Sequence, residues 1–390
     1  MSSQERKRKK KTTNKLSPAL ESAPSLPDDL LVSCLARVSR LYYPTLSLVS
    51  KRFRSLLASP ELYQTRSSLG RTESCLYVCL RFHPDPNPRW FTLCLKPDRT
   101  LTNDTGKKKK KKKKKSCFGY ALAKISISHS PPAHWSGLVT IGSEIYKIGG
   151  PIDNNKEPSS SVSILDCTSH TWREAPSMVV KRSYPQANVL DGKIYVAGGC
   201  SKDSDFMEVF DPKTQTWELV SSPGTEICGT GKIYMQKKPG IDEKVYFFGN
   251  FNGLAYKPKE GRWERVGEEM EWDWRWYSYC VIENVIYRYD EGKFKWYDSK
   301  ARLWRNLKGV KGLPKFARYI ARLADYGGKM AVFWDKGVPS SGYKDRVIWC
   351  TVIALERRND EEIWGKVEWL DAMLTVPKSC RVDFALAATV

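Results

Sequence analysis

Histidine is scarce in this chain. Four residues in 390, His83, His129, His134 and His170, sit on unrelated segments. An oxidase-type copper centre needs several imidazoles that converge, and this supply is too thin for one. Cysteine is present 11 times but never as CxxC. Structural zinc takes two short-spaced pairs or added histidines, so no metal is expected; reduced, buried thiols are. No Ser-His-Asp or paired-carboxylate arrangement can be argued, so neither catalysis nor a cofactor is expected. No apolar run reaches the roughly 18–20 residues that cross a bilayer. The N-terminus also lacks the apolar h-region of a secretory signal. A chain of the cytosol or nucleus, away from membranes, is expected.

Acidic residues are in deficit too, 43 against 65 Lys and Arg, for a formal charge of +22. The excess is concentrated. Residues 1–24 carry +5, largely from RKRKKK at Arg6–Lys11, and the nine-lysine run Lys107–Lys115 carries +9. The remainder is only mildly basic. The first tract reads as a nuclear localisation signal. The second attracts phosphate without reading bases and has no interleaved aromatics on which bases stack. Nucleic acid is therefore not expected as the main partner. Residues 1–24 and the loop 103–116 are expected to be disordered.

What the sequence has in quantity is aromatic residues, 14 Trp and 19 Tyr, which favour strands. Its length suits one large or two smaller domains. Residues 25–69 come first and have a helical pattern. Ser25-Leu26-Pro27-Asp28-Asp29 is a helix start, with proline in the first turn and acids at the positive end of the dipole. Leu30, Leu31 and Leu35 follow at helical spacing. After Pro44, Leu46, Val49, Phe53 and Leu57 recur at three- and four-residue steps. Ser59-Pro60 ends that helix. So small a helical module needs either a partner or a neighbouring domain to pack on.

Residues 75–390 read as short strands with an internal repeat. Second strands are IYKIGG (145–150), IYVAGG (194–199), VYFFGN (245–250), VIYRYD (285–290) and MAVFWD (330–335). A third strand follows each, then a tryptophan: Trp172, Trp217, Trp263, Trp304 and Trp364. Their spacings are 45, 46, 41 and 60 residues. The last is read as stretched by an insert at Gly337–Asp345 and the acidic run Asp360-Glu361-Glu362. Units begin near His134, Arg182, Thr225, Arg275 and Phe316. Each is a four-stranded sheet that cannot bury both faces alone, so the sheets must stack in a ring. Gly149, Gly150, Gly198 and Gly199 let the chain turn and neighbouring blades approach. The tryptophans fill the gaps between blades.

Three orphan strands precede the first unit: CLYVCLRF (75–82), RWFTLCLKPD (89–98) and YALAKISISHSPP (120–132). They read as second, third and fourth strands with no first. The far end, CRVDFALAATV (380–390), resembles the first-strand segment RSYPQANVL (182–190). A sixth, composite blade is therefore expected, with residues 380–390 beside 75–82 and the lysine run between its third and fourth strands.

Two resemblances follow. LPDDLL (26–31) and LSLVSKRFRSLLASPEL (46–62) resemble the two halves of an F-box, with Val38–Pro44 departing from the family's middle Leu-Pro. The double glycines, preceding tyrosines and spaced tryptophans are similar to kelch repeats. Together they resemble the plant-type F-box/kelch proteins. That resemblance implies a non-catalytic substrate receptor of a cullin-type (SCF) ubiquitin ligase. The F-box would bind a Skp-type adaptor, and through it a cullin; the propeller would bind a target protein. Leu26, Pro27, Leu30, Leu31, Leu35, Leu46, Val49, Phe53 and Leu57 would bind the adaptor or form the F-box core, which sequence does not separate. Trp272, Trp274, Arg275 and Trp276, in MEWDWRWYSY (270–279), would either contact the target or pack between blades. A non-ligase kelch scaffold, or a protein held to nucleic acid by its basic tracts, is the alternative.

Overall fold

The computed structural model describes residues 26–85, 87–96, 119–127, 130–131, 137–150, 157–200, 206–222, 240–241, 243–248, 253–266, 279–316 and 321–390. Four helices come first: α1 (Asp28–Leu35), α2 (Tyr43–Leu46), α3 (Lys51–Leu57) and α4 (Pro60–Ser68). Every described strand follows them, in six four-stranded antiparallel sheets. Serines start the helices at the right places. Ser50 accepts a hydrogen bond from the N–H of Phe53 at 3.1 Å, and Ser59 caps α4, with Pro60 as its first residue. Such caps satisfy N–H groups that the helix itself leaves free.

The sheets are propeller blades. Blade one runs through Leu138–Ile141, Glu144–Ile148, Val162–Asp166 and Thr171–Ala175; blade two through Gln186–Leu190, Lys193–Ala197, Met207–Asp211 and Thr216–Val220. Blade three is Gly240–Ile241, Lys244–Phe248, Gly253–Lys257 and Arg262–Arg265; blade four is Tyr279–Ile282, Val285–Asp290, Lys293–Asp298 and Leu303–Asn306. Blade five is Arg322–Tyr326, Lys329–Gly337, Asp345–Asn359 and Glu362–Pro377. The sixth is composite, in the order Cys380–Thr389, Ser74–Phe82, Arg89–Leu95, Tyr120–Lys124.

The expected closure is observed. Ser74 pairs with Thr389, Tyr77 with Leu386 and Phe82 with Cys380, across one bulge. Residues 97–118, which include the lysine run, connect the third strand of this blade to the fourth and lie outside the described residues.

Why the second strands lack hydrophobic alternation is now plain. Both faces of a blade are buried against neighbours. Leu76, Val78 and Leu80 face the core shared with blade five, while Cys75, Tyr77 and Cys79 face the core shared with blade one. Each junction around the ring has its own buried cluster of this kind. The glycine pairs sit where neighbouring segments approach closely. Gly149 and Gly199 have φ of 51° and 71°. A Cβ on Gly149 would come within 2.9–3.1 Å of Met178, Pro185 and the Ser159 carbonyl; on Gly199 it would meet the Tyr184 N–H at 3.0 Å. Gly150 and Gly198 also take positive φ.

One reading of the repeat needs correcting. Gly337–Asp345 does hold a connection, with a 3-10 turn at Pro339–Ser341, but the acidic run is not an inserted loop. The strands Asp345–Asn359 and Glu362–Pro377 absorb it as a long hairpin with bulges, turning only at Asp360 and Glu361. Charged residues at its tip suggest a loop in sequence, and Glu356–Glu361 are all exposed, yet the backbone continues to pair up to Asn359 and Glu362. The start of blade three expected near Thr225 lies outside the described residues, whose first strand in this blade is Gly240–Ile241.

Candidate functional site

Arg52 fixes one end of the helical unit. It makes a 2.6 Å ion pair with Asp28 and also donates to the Leu26 carbonyl. This brings the start of α1 beside the start of α3. Around that end the apolar side chains face outward: Leu26 is 54% exposed, Leu30 50%, Leu48 75% and Val49 64%. Pro27 is exposed with them. Leu35 and Leu57 are buried, together with Ala36, Tyr43 and Leu62, in the small helical core. Leu46 and Phe53 are half-buried against that core, and Leu31 is half-buried as well. So the helical residues singled out from sequence divide into an outward edge (Leu26, Pro27, Leu30, Val49) and a core (Leu35, Leu57), with Leu31, Leu46 and Phe53 between. Leu48 was missed. Its signal is the apolar cluster Leu46-Ser47-Leu48-Val49, of which only Leu46 turns inward.

The other side of the helical unit is seated on the ring. Arg66, 2% exposed, donates to the carbonyls of Ala36, Val38 and Arg71, to the Tyr43 hydroxyl, and to Glu73 at 2.8 Å. Glu73 also accepts from the Ser39 hydroxyl at 2.8 Å and from the Arg40 backbone N–H. Glu73 in turn pairs through its backbone with Val390, at 2.9 Å in both directions. Arg40 reaches the Cys167 carbonyl of blade one at 3.1 Å. Leu41 packs on the blade five–six core and Tyr63 on the blade six–one core. Charge-assisted bonds of this kind, partly shielded from water, hold orientation as well as energy.

Strand direction gives the ring two faces. The connections between first and second strands and between third and fourth strands lie on one face, where Cys167 and Glu73 meet the helices. The connections between second and third strands and between blades lie on the other. Residues 151–156 and 267–278, in two of these connections, lie outside the described residues. Trp272, Trp274, Arg275 and Trp276 lie outside the described residues. So do His129 and His134.

The repeat tryptophans have a common role in four blades. Trp172, Trp217, Trp263 and Trp304 each pack into the core shared with the preceding blade. Trp217 donates its indole N–H to Pro176 and Trp263 to Ser221, each at 2.8 Å, just beyond the outer strand of the preceding blade. Trp364 departs from this. It pairs with Glu356 high on the long hairpin, beneath Arg358 and against Gly309. Ile363 and Val367 occupy the corresponding junction with blade four.

A family model described as F-box domain matches residues 24–65, and one described as FKB95, Kelch-repeats domain matches residues 90–374. The chain belongs to the F-box/kelch-repeat family. F-box/kelch-repeat protein At4g39550 of Arabidopsis thaliana is 66% identical over the full length of both chains. F-box/kelch-repeat proteins At5g49000 and At4g39580, from the same plant, are 56% and 54% identical, also over the full length of both.

An F-box joined to kelch repeats indicates a substrate adaptor of SCF-type complexes, in a family that is generally non-catalytic. Among the described residues of this F-box/kelch chain, no three His, Cys, Asp or Glu side chains group closely enough to hold a metal ion. No described helix is long and apolar enough to cross a membrane.

Proposed function

We propose that this chain is the substrate-recognition subunit of a cullin-type ubiquitin ligase. Its F-box binds a Skp-type adaptor, which links it to the cullin, and its propeller holds a target protein. The observation that carries this reading is the outward edge formed by Leu26, Pro27, Leu30, Leu48 and Val49. A helical unit this small does not leave its largest aliphatics in water without a partner. The same unit is bolted to the ring on its other side, so the edge remains available while the ring carries cargo.

The target is held on the ring face turned away from the helices. We place Trp272, Trp274, Arg275 and Trp276 there, because aromatic and guanidinium groups are the kind that anchor protein interfaces. The chain makes and breaks no bond. It raises the local concentration of target lysines near a charged ubiquitin-conjugating enzyme. It works in the cytosol, the nucleus or both.

The deciding experiment is co-purification of the full chain with a Skp-type adaptor, and its loss when Pro27 and Leu30 are substituted together. Failure of the unaltered chain to retain any such adaptor would leave a kelch scaffold without ligase function as the better account.

A further inference from the structure

Between the helices and the ring lies a cavity of 710 Å³. Its size falls within the range of pockets that enclose small organic ligands. Leu41, Pro44, Leu93, Ile125 and Tyr326 give it an apolar wall. Arg40 lines the same space, beside Lys124 and the hydroxyls of Ser126, Thr168 and Ser169.

Arg40 is a cation without a counter-ion. Its guanidinium lies 5.9 Å from the ring centre of Tyr43 and 5.2 Å from that of Tyr63. One nitrogen donates to the Cys167 carbonyl. Nη1 is buried with no hydrogen bond, and no carboxylate among the described residues pairs with the group. The two nearby acids are already engaged. Glu73 takes Arg66, the Ser39 hydroxyl and the Arg40 backbone N–H; Asp166 takes the N–H and hydroxyl of Thr168 and the hydroxyl of Ser169. The field of the unpaired charge is felt by its neighbours. His170, on the cavity wall, is pushed down to about 4 by burial and then by Arg40.

A desolvated guanidinium without an anion is costly. An anion brought against the guanidinium from the cavity offsets that cost, and an apolar body fills the wall. We propose that this junction binds a small organic anion with an apolar body, its acid group on Arg40. Such a ligand would touch both the helical unit and the ring.

Isothermal calorimetry on the full chain tests this with naphthalene-2-carboxylate and its neutral analogue naphthalene-2-carboxamide. The carboxylate is expected to bind saturably, one per chain, about tenfold or more tighter than the carboxamide. Arg40→Gln should erase that preference while leaving carboxamide binding alone. Ser126→Trp alters an exposed rim residue and should block both ligands without changing the melting temperature. Because it leaves the seat intact, it decides the matter even if Arg40→Gln does not fold. Absence of saturable binding, equal affinity for the two ligands, or full carboxylate binding in Ser126→Trp would overturn the proposal.

Discussion

Arg182 and Glu208 form an ion pair at 3.0 Å in which neither side chain is exposed to water. Arg182 also donates to the carbonyls of Gly198 at 2.8 Å and Phe206 at 3.1 Å. Glu208 accepts the backbone N–H groups of Val179 at 2.7 Å and Val180 at 3.3 Å. The Arg182 backbone meanwhile pairs with Ser159 and receives the Gly150 N–H. Two residues thus join the loop of blade one, the connection between blades, and the third strand of blade two. Breaking such a pair on one side strands a buried charge. Glu208→Ala is expected to destabilise the chain by about 3–5 kcal/mol, whereas Arg182→Met with Glu208→Leu together should cost clearly less. Urea unfolding of both variants checks this; equal losses would mean that the charges themselves matter little.

Closure of the ring gives a second expectation. Truncation after Ser379 removes the partner of strand Ser74–Phe82 and bares an apolar edge. Uncovered edges of this kind pair with other chains. The truncated protein should elute as aggregates in gel filtration. A monodisperse monomer with native circular dichroism would show that the seam contributes little.

The division of the helical leucines predicts opposite outcomes for two kinds of substitution. Leu30→Glu and Leu48→Glu, at exposed positions, should shift stability by no more than about 0.5 kcal/mol and abolish adaptor co-purification. Leu57→Ala, in the helical core, should cost about 2–4 kcal/mol. Melting curves run beside the pull-down separate the two effects.

His170 sets a pH dependence. Burial, then the charge of Arg40, lowers its pKa from 6.5 to about 4. The unfolded chain takes up this proton below about pH 6.5; the folded chain does so only near 4. Stability is therefore complete above that range and falls as the pH drops through it, by about 2–3 kcal/mol at pH 4. His170→Gln should flatten that part of the stability profile. A profile unchanged by the substitution would place the proton uptake elsewhere.

The lysine run is expected to be dispensable for the fold. Leu95 and Tyr120, which flank its connection, are paired within the sheet. Deleting Lys107–Lys115 should leave the melting temperature unchanged and remove most salt-sensitive retention on heparin. Retention that survives the deletion would point to a basic surface on the ring itself.

Much of the architecture could be read from residues alone, for reasons visible in the second strands. CLYVCL is apolar at every position because both faces are covered, and it had no first strand before it; that absence pointed to the far end of the chain. The helical leucines announced an F-box but not their own orientation. Leu48 and Leu57 look alike in sequence, and Arg52 and the seat on the ring decide which one turns outward. Arg182 and Glu208 lie 26 residues apart with no local pattern to join them. Arg381, in the terminal strand that resembles the Arg182 segment, is instead exposed and pairs with Asp383 at 2.9 Å. The long hairpin of blade five misled the reading because bulges move its residues out of step with the repeat.

Blade six has one further consequence, for the order in which the molecule is made. Its second strand leaves the ribosome among the first of the ring, and its first strand emerges last, some three hundred residues later. Contacts of such long sequence separation form slowly. Until they form, strand Ser74–Phe82 waits unpaired on one side, directly beside the helices that Glu73 anchors to it. An unfinished chain therefore has its helical unit early and its closed ring late, and this interval is when the nascent protein most needs protection from misassembly.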